Sequence, residues 1–135
     1  MRRFHTGAAT RTLLISIVAI GVFLGIAVML LPKGFSGDTS KIGQGSAVVV
    51  LAHNKDSVQS LNMMDYMNQI RGDYSGRIEF VVADANTPQG SAFIQLQQVE
   101  LGTLLLFAPD GRRLQVLGNL NSASGLRTAL DSAFK

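Results

Sequence analysis

Apolar and polar residues divide the chain into four stretches. Residues 1–11 are polar and basic, carrying Arg2, Arg3 and Arg11 and no acid. Thr12–Leu31 then runs twenty residues without a charge, TLLISIVAIGVFLGIAVMLL. As an α-helix that stretch is ~30 Å long, the thickness of a bilayer's hydrocarbon core, which predicts one transmembrane helix over 12–31. Residues 32–45 read PKGFSGDTSKIGQG, rich in Gly, Ser and Lys and without a period. Such a composition predicts a flexible linker with an r.m.s. reach of ~20 Å. From Ser46 to Lys135 the pattern becomes that of a globular domain.

Within 46–135 the first element is Ala47–Ala52, an uninterrupted Val-rich run of the kind buried on both faces of a sheet. A polar loop follows, and Asp56 with Gln59 three residues on has the spacing of a helix-opening capping box. Val58, Leu61, Met64, Met67 and Ile70 then recur at helical spacing as one apolar stripe, which leaves Met63 on the outer side. Arg77–Asp84 alternates as a second strand. Thr87 and Pro88 open a second helix over about Pro88–Gln98, with Pro at its first position. Thr103–Phe107 and Arg112–Leu117 are strands joined by the turn Ala108-Pro109-Asp110-Gly111, where Pro presets φ. Ser122 caps a last helix carrying Leu126, Leu130 and Phe134. The order is β-α-β-α-β-β-α. Its first β-α-β unit must be parallel and right-handed, and its last two strands form an antiparallel hairpin. The fold class is therefore α/β, a mixed sheet covered by helices and preceded by a single transmembrane helix.

Charge and cysteine content narrow the function. The net charge of +3 comes from the N-terminal tail, because nine basic and nine acidic side chains balance from Lys33 onward. No basic face is present to neutralise phosphates, so nucleic acid is not an expected partner. The apolar run is longer than the core of a cleaved signal and ends in Leu30-Leu31-Pro32-Lys33, without a small-residue cleavage pattern. Three arginines before the span against Lys33 beyond it place the N-terminus in the cytoplasm. The domain then lies in the periplasm or its equivalent, anchored in the inner (cytoplasmic) membrane. Within the span, Gly21 and Gly25 form a G-x-x-x-G, whose groove admits another helix backbone, either of a host complex or of a second copy. The chain has no cysteine, which removes disulfides, thiolate nucleophiles and Cys-based metal sites.

These residues resemble the thioredoxin family over nearly all of 46–135. The strand Ala47–Ala52 is similar to the family's central strand, which leads into its active-site loop. Ala83-Asp84-Ala85-Asn86 resembles its Asp-x-Asn segment, and Gly102-Thr103-Leu104-Leu105-Leu106-Phe107 its cis-Pro-Thr strand. Gly111 and Gly118 fall where that family has hairpin glycines. The family's C-x-x-C falls within His53–Val58, where this chain has Asn54-Lys55-Asp56-Ser57, and its cis-proline falls at Gly102. Thiol–disulfide exchange is therefore not implied, since no thiolate is present to attack a disulfide. The resemblance implies a scaffold and a degenerate peptide groove.

The loop His53, Asn54, Lys55, Asp56 and Ser57, with Gly102 opposite, is the candidate interaction site. No catalytic, cofactor or metal residue is assigned. His53 lacks a second ligand at metal spacing, and Asp56 and Ser57 lie too near it in sequence for a triad. The methionines suit core packing better than Cu(I) ligation. The expected function is a redox-inactive structural or assembly subunit of a membrane complex, respiratory or photosynthetic; the alternatives are a peptide-binding or chaperone-like module, a copper carrier, and an oxidoreductase, which the lack of cysteine all but removes.

Overall fold

A computed structural model describes residues 6–30 and 34–135, with side chains over 9–26 and 34–135. Arg2, Arg3, Leu31, Pro32 and Lys33, on which part of the topology and linker reading rests, lie outside the described residues. The chain forms two compact units, residues 1–34 and Phe35–Lys135.

The first unit is helix α1, Thr6–Leu30. It begins within the stretch read as a basic tail and takes in Arg11. Its window Ala9–Ile26 has a mean hydropathy of 2.0 and is long and apolar enough to cross a membrane. A Cβ added at Gly21 or Gly25 would meet nothing within 4 Å.

The second unit contains strands β1 (Ala47–His53), β2 (Ile78–Asp84), β3 (Leu104–Phe107) and β4 (Arg113–Leu117), and helices α2 (Val58–Ile70), α3 (Pro88–Gln97) and α4 (Ala123–Ala133). The sheet order is β2-β1-β3-β4, with β1 parallel to β2 and every other pairing antiparallel. This is the mixed sheet the apolar pattern predicts. All seven residues of β1 are buried, because side chains alternate and both faces are covered. Val49 and Leu51 join Met63, Met67 and Leu126, Leu130 from α2 and α4. Val48 and Val50 join Phe93 of α3 on the other face.

Two expectations are corrected. The stripe on α2 is Ser60, Met63, Met67 and Ile70. Val58 and Leu61 are exposed and Met63 is buried, so the helix is rotated from the orientation its apolar residues alone suggest. A polar residue, Ser60, occupies a core position, and its hydrogen bonds make that burial tolerable. The linker also ends earlier than expected, at Gly34. Phe35 packs on the core with the Arg71 guanidinium 4.0 Å from its ring centroid. Val82 N–H donates to Ser36 O at 2.9 Å, and Ser36 bridges Val81, so this segment occupies part of the outer edge of β2. Asp38 accepts from Ser40 N–H and caps a 3-10 turn at Thr39–Lys41. Phe35 and Ile42 are the apolar anchors inside what composition reads as a tether.

The α3–β2 crossing depends on Gly90. A Cβ there would fall on Asp84 O and lie 2.5 Å from Asp84 N, and backbone cannot move aside as a flexible side chain can. Gly90→Ala is expected to cost roughly 1–3 kcal/mol in chemical denaturation. Gly72, which has nothing within 4 Å of an added Cβ, is expected to accept Ala within about 1 kcal/mol of wild type.

A buried phenol gives a pH prediction. Tyr74 O–H donates to Asp131 Oδ1 at 2.6 Å, joining the turn after α2 to α4. Burial, reinforced by that hydrogen bond and the Asp131 charge, pushes its pKa up to about 12. Because the folded value lies above the unfolded one, Tyr74 supports the fold fully below about pH 10, and that support is lost as pH rises through about 12. Wild type is expected to be more stable than Tyr74→Phe at neutral pH. The advantage should shrink as pH rises from about 10 through about 12 in parallel urea titrations.

Candidate functional site

In an open α/β sheet, ligands meet the carboxyl ends of the parallel strands. Here that end comprises the end of β1, the loop to α2, the loop after β2 and the approach to β3. The loop after β1 is a tight turn. Asn54 Oδ1 accepts from Asp56 N–H at 2.9 Å, and Ser57 N–H donates to Asn54 O at 3.0 Å. The N-cap of α2 is Ser57, whose Oγ accepts from Ser60 N–H at 3.3 Å. This corrects the assignment of the cap to Asp56. The extended backbone needed at a cap falls one residue later, and Asp56, like Lys55, is exposed to solvent.

His53 points inward. Its ring is 8% exposed and Ser60 is fully buried. His53 Nδ1 and Ser60 Oγ lie 2.5 Å apart, and Ser60 Oγ also accepts from Asn54 N–H at 3.1 Å. The direction of the His53–Ser60 bond follows the tautomer of the ring. A serine with no surface cannot reach a substrate, so this pair is no nucleophile–base couple. Its effect is mechanical, fastening the last residue of β1 and the loop to the first turn of α2.

Gly102 stands opposite. Its N–H donates to Ala52 O at 2.7 Å, and Ala52 N–H donates to Thr103 O at 3.0 Å, which carries the β1–β3 pairing out to the loop. Gly102 has φ +83°, a left-handed conformation that favours glycine. Gln59 lies against it: a Cβ on Gly102 would come 2.9 Å from Gln59 Cγ, and Gln59 Nε2 donates to Gly102 O at 3.4 Å. Gln59 thus covers Gly102 rather than closing a capping box with Asp56.

After β2, Asp84 Oδ1 accepts from Asn86 N–H at 2.8 Å, and Thr87 Oγ1 accepts from Gly90 N–H at 3.1 Å as the cap of α3. Ala85 N–H donates to His53 O at 2.8 Å. Asn54, Ser57, Ser60, Asp84 and Thr87 are engaged in turns, caps and strand ends at this end, and the Lys55 and Asp56 side chains are exposed. Among the described residues no three His, Asp or Glu side chains gather as a metal site. Met63, expected on the surface, is 1% exposed, so its thioether packs in the core.

The structure therefore brings His53, Asn54 and Ser57 together with Gly102 through Gln59, and leaves Lys55 and Asp56 in solvent. Gly21 and Gly25 belong to the other unit. Sequence reasoning missed Ser60 and the new role of Gln59. The available signal was spacing, since Ser60 falls three residues before Met63 and seven before Met67, on their helix face.

Removing the Ser60 hydroxyl leaves Asn54 N–H and His53 Nδ1 short of a partner in a buried site. Ser60→Ala is expected to cost about 1–3 kcal/mol in urea unfolding. His53→Ala, which removes the other partner, should show strong non-additivity with it in a double-mutant cycle.

No protein-family model and no curated protein sequence matches the chain. Solved structures do. Thioredoxin O2 from Arabidopsis thaliana in the oxidized state superimposes with a TM-score of 0.59 at 12% identity, covering 72% of this chain and 83% of that one. A structure described as that of a malarial protein gives a TM-score of 0.58 at 15% identity, covering 67% of this chain and 99% of the other. At these identities the likeness concerns architecture, and it agrees with the strand order and helix placement above: the chain has a thioredoxin-like fold, contains no cysteine, and carries one N-terminal helix apolar enough to cross a membrane.

Proposed function

We propose that this protein is a non-enzymatic, redox-inactive interaction protein, a thioredoxin-like domain held at a membrane by α1 and serving as a structural or assembly subunit of a larger membrane complex. The observation that supports this best is the closed carboxyl end of β1. Where the fold can carry thiols, this chain has a loop turned on Asn54, a histidine bonded to a fully buried serine, and a glutamine lying over Gly102. A surface spent on internal bonding does no chemistry on a substrate, but it does hold a rigid shape. Energy-transducing complexes, respiratory or photosynthetic, are the proposed hosts, on the architecture of one span plus one small domain.

The proposed topology has the N-terminus in the cytoplasm and the domain outside it, on the arginine excess before the span. The lipid bilayer and integral membrane proteins are the proposed partners. Lipid gives little hydrophobic drive for helices to associate, so close packing at Gly21 and Gly25 is the proposed contact, with a host helix or with a second copy. Peptide binding in the old groove finds less support, because Gln59 lies against Gly102.

The test is mild detergent extraction followed by affinity isolation of the tagged full-length chain. A fixed, stoichiometric set of membrane proteins is expected, and a broad, substoichiometric client set would speak for a chaperone-like role instead. Gly21→Ile with Gly25→Ile fills the groove while keeping the span apolar. The double variant is expected to insert normally and to melt like wild type, yet to lose co-purification or self-association. Wild-type occupancy of the complex by that variant would remove the helix from the docking surface.

A further inference from the structure

A cleft of about 420 Å³ opens at the other end of the sheet from His53, where β1 and β2 begin and β3 ends, beside the last turn of α4. Its volume lies in the range of ligand sites. The apolar part of the lining is supplied by Ile78, Leu114, Leu130 and Phe134. Leu114 is 42% exposed and is the residue left without a partner where the β3–β4 register shifts between Leu106 and Phe107. Gly45, Ser46 and Gly76 bring bare backbone to the walls, which are more polar than apolar.

Charge around the cleft is one-sided. Arg77, Arg112 and Lys135 line it, and Asp131 is the one acidic side chain in its lining among the described residues. Asp131 accepts from the Tyr74 hydroxyl through Oδ1 and keeps its charge, so three cations face one carboxylate in the lining. Arg77 is held in place by donating to Asp73 O at 3.1 Å and standing 5.1 Å from the Tyr74 ring centroid. Arg112 pairs with Asp110 at 2.8 Å, but both side chains are more than half exposed, so that pair exchanges readily for another carboxylate.

We propose that this cleft docks an acidic, extended polypeptide segment of a partner protein. One apolar side chain enters the hollow bounded by Ile78, Leu114 and Phe134, and flanking carboxylates pair with Arg77, Arg112 and Lys135. The polar walls select a peptide over an acyl chain. Gly45 N–H already donates to Pro109 O at 3.1 Å, but peptide amides can bond the backbone at Gly76, whereas a hydrocarbon would leave it dry and unpaired. The site lies wholly within 35–135 and holds whether or not α1 crosses a membrane, so its failure and that of the membrane reading are separate results.

The test uses the full chain in detergent and a fluorescein-labelled hexapeptide containing one leucine flanked by glutamates, followed by fluorescence anisotropy. Saturable binding is expected, weakened about tenfold or more by Arg77→Ala with Arg112→Ala, as loss of charge-assisted contacts implies. Leu114→Asp should weaken it similarly, with unchanged circular dichroism. Arg112→Glu should lose the acidic peptide and gain the same peptide bearing lysines. Equal binding of the lysine peptide to wild type, indifference to these substitutions or absence of saturation would overturn the proposal. So would binding of decanoate in the cleft without binding of the peptide, which would give the site to an acyl anion.

Discussion

The structure depends on a strand with no exposed residue. β1 is paired along both edges and covered on both faces from Ala47 to His53. Burial of Val and Leu side chains supplies the favourable free energy, at roughly 1.5–3 kcal/mol for each fully buried residue. Every backbone N–H and C=O along the strand must then find a partner inside the protein. The sheet meets that demand along β1, and it becomes hardest to meet at the strand's end, where pairing stops while burial continues. His53, Ser60, Asn54 and Gly102 are the solution: two side chains and a glycine loop that extend hydrogen bonding past the last strand residue and fix where α2 begins.

The same constraint explains what was legible in the sequence. β1, β2 and the β3–β4 hairpin were readable because their apolar runs and the Pro109–Gly111 turn report directly on burial and local geometry. The orientation of α2 was not. Apolar content alone places Val58 and Leu61 inward, whereas the helix is turned so that Ser60 meets His53, and a polar core residue carries no hydrophobic signature. The segment before β1 was misread for a related reason. Phe35 and Ile42 are isolated apolar residues among Gly, Ser and Lys, and they pack on core clusters built from residues far along the chain. The loop His53–Ser57 was legible as a place and not as an arrangement: Ser57 and Asp56 both suit a cap, and only backbone conformation separates them.

Absence of cysteine does not leave the fold idle. Gly102 N–H donates to Ala52 O and Ala52 N–H to Thr103 O, so backbone pairing holds this loop against β1 with no thiol involved. Gly102 and Gln59 fit one another in the same way. Gly102 supplies a left-handed backbone and no side chain, which lets Gln59 approach, and Gln59 then covers the glycine's carbonyl. A side chain at Gly102 would clash with Gln59. Together they make a closed surface, consistent with a domain whose value lies in its shape.

The two ends of the sheet thus differ in a way that bears on how partners are met. At the carboxyl end of β1, His53, Asn54, Ser57 and Ser60 bond to one another or to the adjoining backbone, so a partner would meet Lys55 and Asp56 as the exposed polar groups of that loop. At the opposite end, a β-bulge leaves Leu114 unpaired, and cations outnumber carboxylates in the lining of the cleft. Polar walls and a small apolar floor are poor at driving collapse and good at selecting an extended chain, since main-chain bonding gives affinity while one pocket and a few charges give specificity. Recognition of that kind needs only geometry and charge, both of which this fold fixes through the strand it buries completely.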